Sequence, residues 1–122
     1  MEGRDLARLL AWGRIGVGLA GLLTPRLLAR VWTGAPQPDF PTNMIARGLG
    51  ARDIAIGTGL LASLEGAASP RMWLQAGAAA DAADALGTMS SFSELGGLRA
   101  TGLLALEVGA TIVGLRLADE LA

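Results

Sequence analysis

The sequence predicts an all-α fold: a four-helix transmembrane bundle with a short interfacial helix after the first span, in one domain covering residues 1–122. Three observations predict it. Hydrophobic residues make up 52 % of the chain and charged residues 17 %, against roughly 25 % charged in an ordinary soluble domain, and mean hydropathy is +0.46. Prolines and glycines punctuate the chain at Thr24-Pro25, between Thr33 and Asn43, and at Ser69-Pro70, leaving segments of helix length between them. Each long segment carries a charge near its middle, set among small and apolar residues.

The first helix is expected over about Asp5 to Leu23, interrupted only by Arg14, whose face carries Leu10, Val17, Gly18 and Gly21. Thr24-Pro25 then reads as a stop and a fresh start, with Thr24 as N-cap and Pro25 at the first helical position, where its missing N–H costs nothing. In Arg26 to Trp32, Leu28, Val31 and Trp32 fall on one side and Arg26 and Arg30 on another, the pattern of a segment lying in a membrane interface. Thr33 to Asn43 holds Pro36, Pro38 and Pro41 and is the longest loop. The second long helix runs from about Thr42 to Leu64, and Glu65 to Ser69 turns the chain. Ser69 and Pro70 form another N-cap pair that opens the third helix, Pro70 to about Thr88, with six Ala and two Asp between Ala78 and Ala85. Ser90 to Ser93 is a loop, and the fourth helix covers about Glu94 to Leu117, with Gly97, Gly102, Gly109 and Gly114 as packing notches.

No segment reaches the roughly 18 uncharged residues of a simple spanning helix. The best uncharged runs are about eleven residues long. A soluble bundle, however, needs a charged outer face on every helix, and Ile54 to Leu64, Met72 to Ala80 and Ala100 to Leu115 offer almost none. Internal Gly and Ala are also tolerated better in membranes, since Gly costs up to about 1 kcal/mol in a water-exposed helix. The expectation is therefore a multi-pass protein of the cell membrane whose partner is the lipid bilayer. Trp12, Trp32 and Trp73 are expected as interfacial anchors. Arginines divide almost evenly between the two sides, with a slight lean towards cytoplasmic termini.

Net charge is −1, so no basic surface tracks a nucleic-acid backbone and no nucleic-acid partner is expected. With neither Cys nor His, disulfides, thiolate or imidazole metal sites and Ser-His or Cys-His catalysis are excluded. No metal or other cofactor is expected. The first residues mix Glu2, Arg4, Asp5 and Arg8, which argues against a cleavable signal peptide.

The candidate site centres on Arg47 to Gly59, a polar cluster built into an apolar helix. Arg52 shares a face with Gly48, Ala55 and Gly59, and Asp53 with Gly50, Gly57 and Leu60, so the charges point between closely approaching backbones. Asp81 and Asp84, three residues apart, share a face of the third helix with Gly77, Ala78 and Thr88. Arg14, Arg47 and Arg52 against Asp53, Asp81, Asp84 and Glu107 come close to charge balance, and Arg52 is expected to pair with Asp81 or Asp84. An ionisable group at mid-membrane costs about 2.5–3.5 kcal/mol on insertion scales, which makes each a functional-site hypothesis with a partner to be named. Two readings stay open at even odds: a polar pocket that binds a small amphipathic molecule or passes protons, and a salt-bridge network that fixes helix register.

Two stretches, Gly21-Leu22-Leu23-Thr24-Pro25-Arg26 with a tryptophan soon after, and Arg47-Gly-Leu-Gly-Ala-Arg-Asp-Ile-Ala-Ile-Gly, are familiar together. The chain resembles small four-helix membrane proteins of the DoxX-like kind, in particular a family common in actinobacteria. The likeness spans most of the chain and rests mainly on Arg52, Asp53 and Gly57. It implies four transmembrane helices. DoxX-like proteins include accessory subunits of quinone-linked oxidoreductases, whereas no redox centre is visible in this chain and no catalytic residue carries over.

Three functions follow, in this order. The first is an accessory or interaction subunit, with a membrane-protein partner or a second copy of the chain seated on a Gly/Ala stripe. The second is a membrane-embedded enzyme or binder for a small lipophilic, quinone- or isoprenoid-like molecule. The third is a small proton-coupled transporter.

Overall fold

The computed structural model describes residues 2–122, and among them there is no strand. Six helices follow one another: α1 Gly3–Leu23, α2 Pro25–Thr33, α3 Phe40–Glu65, α4 Arg71–Ser90, α5 Phe92–Leu95 and α6 Gly97–Glu120. The all-α expectation holds, with two short helices beside the four long ones. Of the long helices, two are apolar and long enough to cross a membrane by themselves, α1 with a mean hydropathy of 1.4 and α6 with 1.5.

The breaks have local causes. At Thr24 the backbone leaves helical geometry (φ −130°, ψ 60°) and Pro25 starts α2, as the sequence suggests. Thr24 does not cap α2: its hydroxyl donates to the Ala20 carbonyl at 2.7 Å, closing α1 instead. Gly34, at φ +77°, ends α2 in the left-handed conformation natural to glycine. The loop is shorter than its three prolines suggest, because Pro41 sits in the first turn of α3, where a proline is harmless. Asp39 caps α3, accepting from the Thr42 backbone N–H at 2.8 Å. Hydrogen bonds from the Thr42 side chain and its backbone N–H hold the Asp39 carboxyl below the ordinary carboxylate range. At the other end, Ser69 Oγ accepts from Arg71 N at 3.2 Å, and α4 begins one residue later than the proline suggests.

The last loop differs most. α4 continues to Ser90, Phe92–Leu95 forms its own turn of helix, and Gly96 at φ +83° separates it from α6. The fourth helix thus starts at Gly97, not Glu94.

Packing proceeds in pairs, α1 against α3 and α4 against α6. Gly18 and Gly50 let the first pair close: a Cβ on either would stand 2.6 Å from the other's carbonyl oxygen. Of the expected α6 notches, Gly114 faces Ala78 of α4 and Gly97 only the ring of Phe92 in α5, while Gly102 and Gly109 face open space. The apolar core, Ala7, Ala11, Leu60, Leu64, Leu74, Leu117 and Ala118, lies at the end where both termini and the α3–α4 turn meet. α1 and α6 touch only sparsely, and a cleft remains between them above that core.

Candidate functional site

The mid-helix charges converge on that cleft. Arg14 reaches from α1 to both following long helices, its Nη1 donating to Asp53 Oδ1 at 3.3 Å and its Nη2 to Asp81 Oδ2. Arg52 grips Asp84 with two hydrogen bonds, Nη1 to Oδ1 at 3.0 Å and Nη2 to Oδ2 at 2.8 Å. Its Nη2 also meets Asp53 Oδ1 at 3.3 Å. The result is a continuous chain, Asp81–Arg14–Asp53–Arg52–Asp84, which ties α1, α3 and α4 together through planar guanidinium forks.

Small residues make the chain possible. Asp53 lies on the α3 face with Gly50 and Gly57, both buried against α1, as the helical spacing indicates. Gly77, one turn before Asp81, leaves the space that the Arg14 guanidinium occupies, since a Cβ there would stand 2.8 Å from Arg14 Nη2. These groups are shielded: the side chains of Arg14, Asp53, Asp81 and Asp84 are 8 %, 13 %, 13 % and 16 % exposed.

Glu107 stands beside this chain without joining it. Buried on α6, its Oε1 accepts from Thr88 Oγ1 at 2.9 Å, while its Oε2 is enclosed and has no hydrogen-bond partner. Arg52 Nε is the other orphan of the site.

The cleft has a volume of about 390 Å³. Leu6, Leu9, Leu10, Leu103 and Leu106 form its walls, Trp32 of α2 stands at one side, and Arg14, Asp53, Asp81, Asp84 and Glu107 form its polar floor. A smaller chamber behind Trp32 reaches Arg52, Asp53 and Asp84 from the α2 side. Among the described residues no group of three or more acidic side chains is placed to hold a metal ion.

Six of the seven sequence-derived candidates, Arg14, Arg52, Asp53, Asp81, Asp84 and Glu107, therefore face one region. Arg52 takes Asp84, whereas Asp81 belongs to Arg14. Arg47 is the exception: it is exposed and lies beside Arg26 and Arg30 near Pro25, away from the network. Its departure changes the charge count. Two guanidiniums now face four carboxylates, 2 − 4 = −2, in place of near balance.

Sequence reasoning missed that Thr88 donates to Glu107 and that Trp32 lines the cleft. The helical spacing that places Thr88 on the face of Asp81 and Asp84 could have marked it as a partner for an acid. Trp32 has no such signal, because its position depends on how α2 folds back. No protein-family model, characterised protein or solved structure matches the chain.

Proposed function

We propose that the chain is a multi-pass membrane protein that binds a small lipophilic molecule in the cleft between α1 and α6. One observation carries this reading: an apolar-walled cleft of about 390 Å³ ends on a buried, charged floor, the combination of shape and few oriented polar groups typical of ligand sites.

The membrane part rests on where apolar surface lies. A comparably apolar core helix of a soluble protein would be mostly buried, yet only 28 % of the apolar window of α1 and 17 % of that of α6 are buried. Leu98, Leu106, Val108, Ile112 and Leu115 all stand exposed along α6. In water these would form a sticky face; in a bilayer they meet their own solvent. α3 and α4 are interrupted by charges, but Arg52, Asp53, Asp81 and Asp84 pair inside the bundle, and the exposed Arg47 lies towards the α2 end of α3 beside Arg26 and Arg30. Four spans follow on this reading, with α2 lying at the interface: Leu27 and Val31 give it an apolar edge beside Arg26 and Arg30. Cytoplasmic termini and the likeness to DoxX-like proteins belong to the same proposal.

A second reading, the interaction subunit, is favoured by Gly13, Gly16, Gly102 and Gly109, whose Cα positions face open space on the two most apolar helices. It is compatible with a bound lipophile.

The test is to purify the protein from membranes in mild detergent and analyse what travels with it by native mass spectrometry. A stoichiometric lipophilic adduct is expected, lost on filling the cleft with Leu9→Trp and Leu106→Trp while membrane association persists. An adduct that survives both substitutions, or none in any preparation, would sink the reading.

A further inference from the structure

We infer that the occupant of this cleft is a lipophilic organic cation, a long-chain ammonium that pairs with the Glu107 carboxylate, one oxygen of which has no hydrogen-bond partner, and that its binding displaces a proton. This rests on the binding reading above and adds the chemistry of the headgroup.

Three features of the site lead there. Glu107 is 5 % exposed, one of its carboxyl oxygens is hydrogen-bonded by Thr88, and the other has no partner although the residue lines the cleft. A buried acceptor without a donor is costly, and in a native site it marks where a ligand donor belongs. Electroneutrality adds the sign. The charged groups that line the cleft with Glu107 are Arg14 from α1, Asp53 from α3 and Asp81 and Asp84 from α4, with Arg52 paired to Asp53 and Asp84 behind them; α2 contributes only Trp32. Four carboxylates against two guanidiniums leave two negative charges for protons or a bound cation to neutralise. Finally, the walls set the class of cation. With no metal-ligating group of acids among the described residues, an inorganic divalent ion has no cage. Leucines on both sides suit an alkyl chain, and Trp32 offers an aromatic side to an ammonium.

The exchange balances simply. For charge to balance, one ammonium arriving at Glu107 takes the place of one carboxyl proton, with no bond made or broken besides O–H. Affinity therefore rises with pH.

The experiment uses the full chain in phosphatidylcholine nanodiscs, with Trp12→Phe and Trp73→Phe leaving Trp32 as the only tryptophan and reporter. Decylammonium and decanol, matched in chain length, are titrated at pH 6 and pH 8 against empty nanodiscs. Decylammonium should bind about tenfold or more tightly than decanol, the fold-change of a hydrogen bond to a charged group, and more tightly at pH 8 than at pH 6. Glu107→Gln should erase the difference between the two probes. Calorimetry of the unsubstituted chain in two buffers of different ionisation enthalpy should show about one proton released per decylammonium bound, a result that does not depend on any variant folding. Equal binding of decanol and decylammonium without proton release overturns the cation inference and leaves lipophile binding standing. Binding of neither probe overturns both.

Discussion

Arg14 is the residue on which the buried network depends most. It is 8 % exposed, so solvent screens its ion pairs little, and it bridges Asp53 and Asp81. In Arg14→Leu, Asp53 keeps Arg52 at 3.3 Å, whereas Asp81 loses its ion-pair partner. Stranding one member of a buried pair costs about 3–5 kcal/mol, and because only one of the two acids is stranded and can take up a proton, we expect about 3 kcal/mol. Unfolding in mild detergent at pH 7.5 measures it. The deficit should shrink as pH is lowered, since protonating the stranded carboxylate removes its uncompensated charge. Asp81→Asn added to Arg14→Leu should restore about 2 kcal/mol, and with the cost of Asp81→Asn alone taken into the cycle the coupling should lie well above the roughly 0.6 kcal/mol of an average polar contact between membrane helices. A coupling within about 0.5 kcal/mol of zero would mean that Arg14 and Asp81 do not depend on one another, and the network would lose its central link.

Two further perturbations probe the frame around the site. Gly50→Leu should force α1 and α3 apart, since even a Cβ would stand 2.6 Å from the Gly18 carbonyl oxygen; destabilisation of about 1–3 kcal/mol is expected in the same assay, and wild-type stability would refute the close approach. Asp39 has its folded-state pKa lowered, so its capping contribution is complete above the unfolded-state pKa and fades as pH falls through the lower folded value. Amide exchange over residues 40–44 should quicken across that acidic window in the wild type and lose this dependence in Asp39→Ala; an unchanged profile in the variant would contradict the cap.

The helical frame was legible because its punctuation is chemical: Pro25, Pro36, Pro38 and Pro70 forbid helix interior at or near their positions, and the structure breaks there. Gly96 was less legible, since a glycine inside an apolar pattern reads equally as a packing notch until its positive φ is seen. Identities at the site were legible from mid-helix charge, but pairing was not. Arg47 lies five residues from Arg52, about 140° around the helix, and spacing alone does not say which of the two faces inward. That choice is made by the Gly18–Gly50 contact, which sets how α3 turns toward α1. The same contact brings Arg14 to Asp53, and Gly77 of α4 leaves room for its guanidinium beside Asp81, so the partner of Asp81 depends on packing between helices and not on helical spacing within either one. The unpaired oxygen of Glu107 was likewise invisible, because an absent partner has no sequence signal.

The chain contains no cysteine, so single cysteines at Leu9 and Leu106, on opposite walls of the cleft, can carry spin labels in reconstituted bilayers without background. Both positions are exposed on the isolated molecule, at 59 % and 72 %. If the cleft opens into lipid, both labels should be readily relaxed by dissolved oxygen and shielded from a water-soluble nickel chelate. Strong relaxation by the nickel chelate at both sites would place the cleft in water and contradict a bundle that binds its ligand within the membrane.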